Sequence, residues 1–425
     1  MTESDRLSVN EIKGRRGVMA KAYERNVKGH MKEHVSEQVT EKRLELYVHI
    51  PFCVRKCLYC DFLSGPAPAK RQEEYMRALS REVEEKSARY AERTVYSVYF
   101  GGGTPSVVSY PLMVKLLGGL KKWYHLEAGA EITMEINPGT VNEESLRAYL
   151  EAGINRLSIG LQSARNDELA SLGRIHTYEQ FTDAYYMARE IGYTNISVDM
   201  MSGLPGQDAV SWQDTMSRVT QLSPPPEHLS AYCLCIEEGT PFKKLFDEHR
   251  LDIPNEDTEA ELYRMTADYL RHCGYQRYEI SNYSRPGMCC RHNVGYWTRV
   301  DYAGFGVGAA SMVDNVRFFN TRDMQIYMQD PLHCECGRQE LTSAEQAEEY
   351  MFLGLRMMDG VSCRTFESLF GKSVDQVYGR VLEVHEAEGL LERYSGADGG
   401  ERLRLTERGV SLSNYVMADF LDPEL

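Results

Sequence analysis

Three cysteines stand close together in the run HIPFCVRKCLYCDF, at Cys53, Cys57 and Cys60. They follow an apolar stretch, LELYVHI, at the point where that stretch gives way to a loop. A short loop lets three thiolates at this spacing turn inward onto one iron–sulfur cluster, while backbone amides shield the charge of the cluster. Three ligands for four irons leave one iron open, and an open coordination position makes a metal site reactive. The spacing therefore predicts a reactive four-iron four-sulfur centre.

Two other uses of these cysteines stay open on spacing alone. They could bind a structural zinc ion, or they could be reduced thiols in the core. A zinc site would need a fourth ligand nearby, and His49 is the candidate, although it stands at the strand end rather than in the loop.

Six apolar, β-rich runs alternate with helical patterns from Leu44 onward. The stretches between the runs are long enough for right-handed crossovers, which make neighbouring strands parallel. We therefore expect an α/β fold, a partial parallel (β/α)6 barrel of TIM type. The predicted strands are 44–50, 94–100, 130–136, 155–160, 194–200 and 227–233.

Unusual polar and glycine residues follow the strand ends. The cysteines come after the first strand, GGGTPS after the second, MEINP at the end of the third, GLQS after the fourth and DMMSGLP at the end of the fifth. In a parallel barrel all these ends open on one rim, so we expect five distant segments to surround one pocket. Taken alone, the glycine triplet would equally fit a tight strand-to-helix turn, and carboxylates at loop edges are often caps.

The C-x3-C-x2-C spacing resembles that of the radical S-adenosylmethionine (SAM) superfamily. Nearly everything after residue 43 resembles its oxygen-independent coproporphyrinogen oxidase group. The resemblance implies that SAM occupies the open iron and that one electron from the cluster cleaves it to methionine and a 5'-deoxyadenosyl radical. It also implies cofactor contacts at the methionine end by Tyr47, Gly102, Gly103 and Thr104, and at the polar groups by Glu135, Gln162, Arg174 and Asp199.

Those residue types suit a cationic sulfonium ligand that carries an adenosine. Carboxylates accept hydrogen bonds from its hydroxyl and amino groups, and an arginine pairs bidentately with its carboxylate. A simple surface ion pair is the alternative for Arg174.

Within this group, the chain resembles the HemW family of haem-binding chaperones more than the oxidase. The oxidase pattern carries one more cysteine two places after the third, where this chain has Phe62. The run RHNVGYW contains an HNxxYW signature, from His292 to Trp297, that is similar to the HemW pattern. An imidazole is a good axial ligand for haem iron, and aromatic rings can lie against the macrocycle. His292 is therefore the candidate haem ligand.

Other readings of this region stay open. His292 could instead pack a loop onto the barrel, and Cys289 and Cys290 are rival soft ligands for a metal. Cys233 and Cys235 are two residues apart on a predicted strand, so they should face the same side. We expect both to be buried as small apolar groups, and the alternative for Cys235 is that it lines the barrel mouth.

The length of 425 residues is enough for one barrel and a smaller domain. The last part reads as helix, short helix, helix, a hairpin of LLERY and ERLRL, and a final helix, which predicts a mostly helical, winged-helix-like domain. Its groove-facing helix would be acidic, which argues against DNA binding. The expected division is a charged, disordered leader at 1–43, the barrel at 44–280, an HNxxYW-containing connecting segment at 281–342 and the C-terminal domain at 343–421.

Composition limits the partners and the compartment. A net charge of -15 disfavours nucleic acid, and no apolar stretch approaches the roughly 20 residues of a membrane span. Eleven cysteines without an extracellular disulfide pattern, and no recognisable secretory leader, indicate the reducing cytoplasm.

The leading hypothesis is a cytoplasmic chaperone that binds the cluster, SAM and haem and passes haem to an acceptor protein. The first alternative is an enzyme that uses the radical on a tetrapyrrole, by oxidative decarboxylation or by methylation and ring opening. A weaker alternative is radical modification of RNA, against which the acidic charge argues.

Overall fold

A parallel sheet forms the centre of the computed structural model, which describes residues 42–421. The predicted leader lies outside the described residues except for its last two positions. Six strands pair in parallel in chain order, in five successive pairs, which confirms the partial parallel barrel. These strands are β1 Arg43–Ile50, β2 Thr94–Gly102, β3 His125–Ile136, β4 Arg156–Gln162, β5 Ile196–Ser202 and β6 His228–Cys233.

Helices connect the strands, and local sequence signals set their ends. Asn142, Thr177 and Asp208 each cap a helix start with a reciprocal capping box. Gly153 and Gly192 end two of the helices with a left-handed φ that suits glycine. The helices of this region are α1 Ala69–Lys86, α2 Tyr110–Trp123, α3 Glu143–Ala152, α4 Asn166–Ser171, α5 Tyr178–Ile191, α6 Ala209–Thr220, α7 Pro241–Asp247 and α8 Glu256–His272.

Alternation along the strands separates an apolar exterior from a polar interior. The apolar positions of β1 and β3, such as Leu46 and Met134, are fully buried in the core cluster that the crossover helices share. The intervening positions face the opposite side and are polar. On β1 and β3 they are Glu45, Tyr47, His49, Glu131, Thr133 and Glu135. The interior of this barrel is therefore built to contact a polar ligand rather than to close on bulky apolar side chains.

The segment 281–342 does more than connect the two domains, because it extends the sheet at both edges. At one edge β7 Gln276–Arg277, which comes just before the segment, pairs antiparallel with β8 Asn282–Ser284, and β8 pairs antiparallel with β6. At the other edge β9 Tyr302–Phe305 pairs in parallel with β1. The rest of the segment comprises α9 Arg291–Trp297, β10 Ala310–Val313, β11 Val316–Asn320, α10 Met324–Gln329 and β12 Glu335–Glu340. The sheet order is β12-β11-β10-β9-β1-β2-β3-β4-β5-β6-β8-β7.

The C-terminal domain has its own core and the element order expected of a winged helix. Its three strands form an antiparallel sheet in the order β13-β15-β14. Across residues 42–421, we find no helix with the length and apolarity needed to cross a membrane. The elements of this domain are α11 Ser343–Gly354, β13 Val361–Ser362, α12 Cys363–Phe370, α13 Val374–Ala387, β14 Leu391–Ser395, β15 Glu401–Leu405, α14 Glu407–Ser411 and α15 Ser413–Ala418.

Candidate functional site

The three clustered cysteines lie in one loop, 51–65, at the carboxyl end of β1, and each is partly buried. The ends of the loop are tied together, since the amide of Cys53 donates to the carbonyl of Gly65 at 3.1 Å. Burial raises the pKa of the Cys60 thiol, and the neighbouring Cys57 and Cys53 add to the rise. The three thiols are thus close enough to influence one another electrostatically.

The three clustered cysteines are not arranged to hold a single metal ion. Within the described part of the chain, no three His, Cys, Asp or Glu side chains are grouped so that they could hold one metal ion. The thiolates of a four-iron cluster bind different irons, so they need not approach one another as the ligands of one ion do.

A chain of polar side chains joins two of these cysteines. The hydroxyl of Thr104 donates to the Cys53 sulfur at 3.7 Å and accepts from the Asn137 amide at 2.6 Å. The guanidinium of Arg174 donates to the Asn137 side-chain oxygen at 2.5 Å and to the Cys57 sulfur at 3.6 Å. Donors aimed at sulfur stabilise thiolate charge. Arg174 therefore serves the cysteine loop rather than a surface carboxylate.

Sequence reasoning did not single out Asn137. It falls within the MEINP run, but an asparagine after a strand carries no chemical signal until the fold places it between Thr104 and Arg174.

The glycine turn after β2 runs against the cysteine loop. A Cβ atom at Gly103 would lie 2.6 Å from the carbonyl oxygen of Phe52, and one at Gly102, whose φ is +109°, would lie 2.4 Å from the imidazole of His49. The turn is therefore a close approach of backbone that side chains would prevent.

His49 is not free to act as a fourth zinc ligand. Its Nδ1 lies 3.0 Å from the hydroxyl of Tyr47, and its Nε2 lies 3.0 Å from the carbonyl oxygen of Leu63. Burial lowers the pKa of His49, so the ring is neutral and can accept at one nitrogen and donate at the other.

Two carboxyls face the interior of the barrel without a cation bonded to them. Glu135 accepts from the Tyr99 hydroxyl at 2.9 Å and from the Gly102 amide at 3.2 Å. Desolvation, together with the nearby Asp199, raises the pKa of Glu135 to about 7. Burial also raises the pKa of Asp199, which accepts from the Ser158 hydroxyl at 3.1 Å. A cationic ligand would stabilise the ionised form of both groups.

Gln162 has a backbone conformation that side chains rarely adopt. Its φ is +74°, at an irregularity where β4 pairs with β5, and its side-chain oxygen accepts from the Tyr232 hydroxyl at 2.9 Å. Strain of this kind persists where the surrounding structure imposes it, and it concentrates at ligand sites.

The rim thus offers donors and acceptors that fit SAM beside an iron–sulfur cluster. Besides the two carboxyls, the Nε of Arg174 is buried and has no hydrogen-bond partner among residues 42–421, which leaves a donor for a ligand carboxylate. The remaining groups that could contact these cofactors are the cysteine sulfurs of the loop and the backbone of the glycine turn, which no side chain covers. The rim groups expected from the sequence lie together here. Tyr47 joins them through its hydrogen bond to His49.

His292 lies elsewhere, at the floor of the barrel. Its Nδ1 is 2.9 Å from the Ser97 hydroxyl, its Nε2 is 3.2 Å from the Tyr296 hydroxyl, and its ring stacks on Tyr99 with centroids 5.1 Å apart. Burial and the nearby Arg156 lower the pKa of His292 to about 3. A haem iron could bind this imidazole only if one of these hydrogen bonds broke.

The four other cysteines considered in the sequence divide between floor and rim. Cys290 is buried and its thiol donates to Glu131, while Cys289 contacts Ser284 at 3.3 Å. Cys233 and Cys235 are both exposed, so the expected burial was wrong. The reason is that β6 ends at Cys233, which puts the pair on the open rim instead of within the sheet.

Comparisons with known proteins identify the family of this chain. The radical SAM superfamily profile matches residues 47–219, and the HemN C-terminal domain profile matches residues 341–412. The heme chaperone HemW of Bacillus subtilis is 35% identical over 381 residues, which cover 88% of this chain and 98% of that protein. The heme chaperone HemW of Escherichia coli is 34% identical over 387 residues, 89% of this chain and 98% of that protein.

A solved structure supports the fold. Coproporphyrinogen III oxidase (HemN) from Escherichia coli aligns with a TM-score of 0.78 and covers 95% of this chain and 93% of that chain. At 23% identity this likeness concerns the fold alone. Membership of the superfamily brings a four-iron four-sulfur cluster and SAM as cofactors. With full-length relatives above 30% identity, the chain belongs to the HemW family of radical SAM proteins.

Proposed function

We propose that this protein is a cytoplasmic haem chaperone, which binds a four-iron four-sulfur cluster, SAM and haem, and passes haem to an acceptor protein. The relationship over nearly the whole chain to proteins named heme chaperones carries this proposal. Phe62 supports it, because it replaces the additional cysteine of the oxidase pattern and is 60% exposed beside the cysteine loop.

The cluster ligands in this proposal are Cys53, Cys57 and Cys60. When bound, the cluster supplies an electron to SAM at its open iron. Arg174 and Thr104 donate to the loop sulfurs and so stabilise their thiolate form.

The SAM contacts in this proposal come from the rim. Tyr47 and the turn at Gly102, Gly103 and Thr104 border the methionine end. Around the polar groups lie Glu135, Gln162, Arg174 and Asp199. The raised pKa of Glu135 and the unpartnered Nε of Arg174 support these assignments, since each has an unmet electrostatic or hydrogen-bonding need that SAM satisfies.

For haem, the rim offers an apolar surface next to the cluster loop. Val54 and Ile175 are each more than half exposed, and both border the pocket that contains Cys57. Exposed apolar side chains at a rim suit one face of a planar macrocycle. The exposed Cys235 is an accessible soft ligand on this rim, whereas the imidazole of His292 is engaged at both nitrogens.

The test is anaerobic reconstitution with iron and sulfide, followed by titration with haem and then with a haem-free acceptor. We expect one haem band that forms at saturation and declines as the acceptor gains haem. A reconstituted protein without any haem band would contradict the proposal. Mass analysis of the recovered tetrapyrrole separates a carrier from an enzyme, since a modified product requires turnover.

The haem ligand is tested with His292→Ala and Cys235→Ser. If His292 only supports the floor, as its contacts indicate, His292→Ala lowers the melting temperature and leaves the haem spectrum unchanged. A shifted haem band in His292→Ala, with an unchanged spectrum in Cys235→Ser, would instead make His292 the ligand.

A further inference from the structure

Arg156 is a buried cation inside the barrel that the proposed function does not use. It begins β4, is 1% exposed and stands in register with Thr133 on β3. Arginine stays protonated in proteins, so its charge must be balanced within the barrel. Although burial opposes the charge, the surrounding groups, Cys290 and Glu131 first among them, raise the pKa of Arg156 above its ordinary value.

The donors of this guanidinium lack acceptors. In the described part of the chain no protein atom accepts a hydrogen bond from it, and its Nε is fully enclosed without a partner. The hydroxyl of Thr133, opposite it in the sheet, is likewise buried without a partner. Buried polar groups are normally bonded to protein, water or a ligand.

Glu131, an acid that acts on Arg156, does not supply hydrogen-bond acceptors for its guanidinium. Glu131 attracts the charge of Arg156, but its oxygens accept from the backbone amides of Arg291 at 3.1 Å and His292 at 3.2 Å, and from the Cys290 thiol. Its negative charge therefore lowers the cost of burying Arg156 without filling the hydrogen-bonding positions of the guanidinium.

Two imidazoles and a second acid also act on Arg156. Burial, together with the charge of Arg156, lowers the pKa of both His228 and His292, so both rings are neutral. Burial raises the pKa of Asp199, and the charge of Arg156 opposes that rise. An anion placed against Arg156 would thus meet two neutral imidazoles, beside Glu131 and Asp199.

We propose that the barrel floor binds a carboxylate on Arg156, with the Thr133 hydroxyl as a second donor. A planar carboxylate accepts two parallel N–H bonds from a guanidinium, which is the geometry an unpaired arginine offers. The carboxylate can belong to a small free acid such as formate or to a propionate of haem. The proposal does not depend on haem binding.

The experiment uses the anaerobically reconstituted protein and 13C-labelled formate as the probe. We expect formate to raise the melting temperature by several degrees relative to chloride at equal ionic strength, because a ligand that binds only the folded state stabilises it. The 13C signal should broaden on addition of the protein. In Arg156→Met both responses should disappear, and in Thr133→Val the formate affinity should fall severalfold.

Arg147→Met is the matched control, because Arg147 lies on the exposed face of α3 and pairs only with Glu143 at 2.7 Å. It should respond to formate as the original protein does. Equal formate responses in Arg156→Met and the original protein would overturn the proposal, as would no response in the original protein. If Arg156→Met does not fold, the formate affinity of Thr133→Val is the test. An affinity equal to that of the original protein would then overturn the proposal.

Displacement identifies the source of the carboxylate. Release of labelled formate by haem but not by haem dimethyl ester assigns the position to a propionate. Formate that haem does not release marks an independent small-acid site. Each of these outcomes supports the carboxylate site, provided that Arg156→Met binds no formate.

Discussion

At the scale of single residues, the rim depends on side chains that modify one another. Arg174 and Thr104 donate to cysteine sulfur, and Tyr99 and Gly102 donate to one carboxyl. Each of these bonds links residues more than thirty positions apart in sequence. A change at one residue should therefore be measurable at a specific partner.

Cys57→Ser should lose the cluster. A serine oxygen is a poor replacement for a thiolate on iron, and two remaining ligands cannot hold the cluster against competing water. We expect iron and sulfide contents close to background after anaerobic reconstitution. Cys336→Ser, at an exposed cysteine in β12, is the control and should retain full iron. Full iron in Cys57→Ser would show that another residue is the ligand.

Glu135→Gln should change how stability depends on pH. The pKa of Glu135 rises from 4.5 in the unfolded chain to about 7 in the fold. The stability that its neutral form contributes is therefore complete below about pH 4.5 and is lost as the pH rises through about 7, by about 3 kcal/mol at most. The side-chain amide of Glu135→Gln does not titrate, so the unfolding free energy of the variant should not fall in this way as the pH rises.

The measurement is urea unfolding of the cofactor-free protein at about pH 5 and about pH 8. The exposed Glu151→Gln is the control and should keep the original slope. A pH dependence in Glu135→Gln equal to that of the original protein would mean that Glu135 titrates normally. In the presence of SAM the original protein should bind more tightly above pH 7, and Glu135→Gln should show a weaker increase.

At the scale of elements, the strand-to-helix turns decide how close the motifs come. The turn after β2 passes beneath the cysteine loop, and the amide of Gly103 donates to the carbonyl of Ile50 at 2.9 Å. A glycine at this position is required by a backbone neighbour, which cannot move aside as a flexible side chain can.

Gly103→Ala should destabilise the protein by about 1–3 kcal/mol and weaken the cluster, because its Cβ would overlap the backbone of Phe52. Gly118→Ala is the matched control within α2, where nothing lies within 4 Å of the added Cβ. That variant should be neutral or more stable by about 0.5–1 kcal/mol. Thermal unfolding and iron content measure both effects. Equal stability of the two variants would show that the turn can move away from the loop.

At the scale of the whole molecule, α9 connects the barrel to the C-terminal domain. His292 at one end of the HNxxYW run contacts the barrel floor, and Trp297 at the other end lies 4.3 Å from the guanidinium of Arg356. Glu349, which is buried in α11, binds Arg299 just after α9 and Arg317 on β11. The signature therefore occupies the junction of the two domains.

Glu349→Ala should loosen this junction. Removing one partner of a buried ion pair leaves an uncompensated charge on Arg299, which costs about 3 kcal/mol. We expect a lower melting temperature and faster proteolysis between the barrel and the C-terminal domain. Glu367→Ala, on the exposed side of α12, should change neither. Unchanged proteolysis of Glu349→Ala would show that the apolar contacts of Tyr263 and Ile280 with the C-terminal core are sufficient.

Much of the barrel follows from local sequence. Periodic apolar runs predicted the six parallel strands, with ends within a few residues of those observed, because alternation and crossover length are properties of short segments. The motifs after successive strands predicted a shared rim, since parallel strands carry their carboxyl ends to one side. The cysteine spacing is local too, which is why it identified the superfamily.

Tertiary structure decided what depends on contacts between distant segments. The bridge through Asn137, the unpaired Arg156 and the exposure of Cys233 and Cys235 appear only when the strands close side by side. The position of His292 depends on the path of the chain from β8, which lies beside β6, to β9, which lies beside β1, because this path carries α9 across the floor of the six parallel strands. Residue types and spacing along the chain describe which groups are present, whereas the closing of the sheet determines which of them meet, because burial and hydrogen bonding act between neighbours in space.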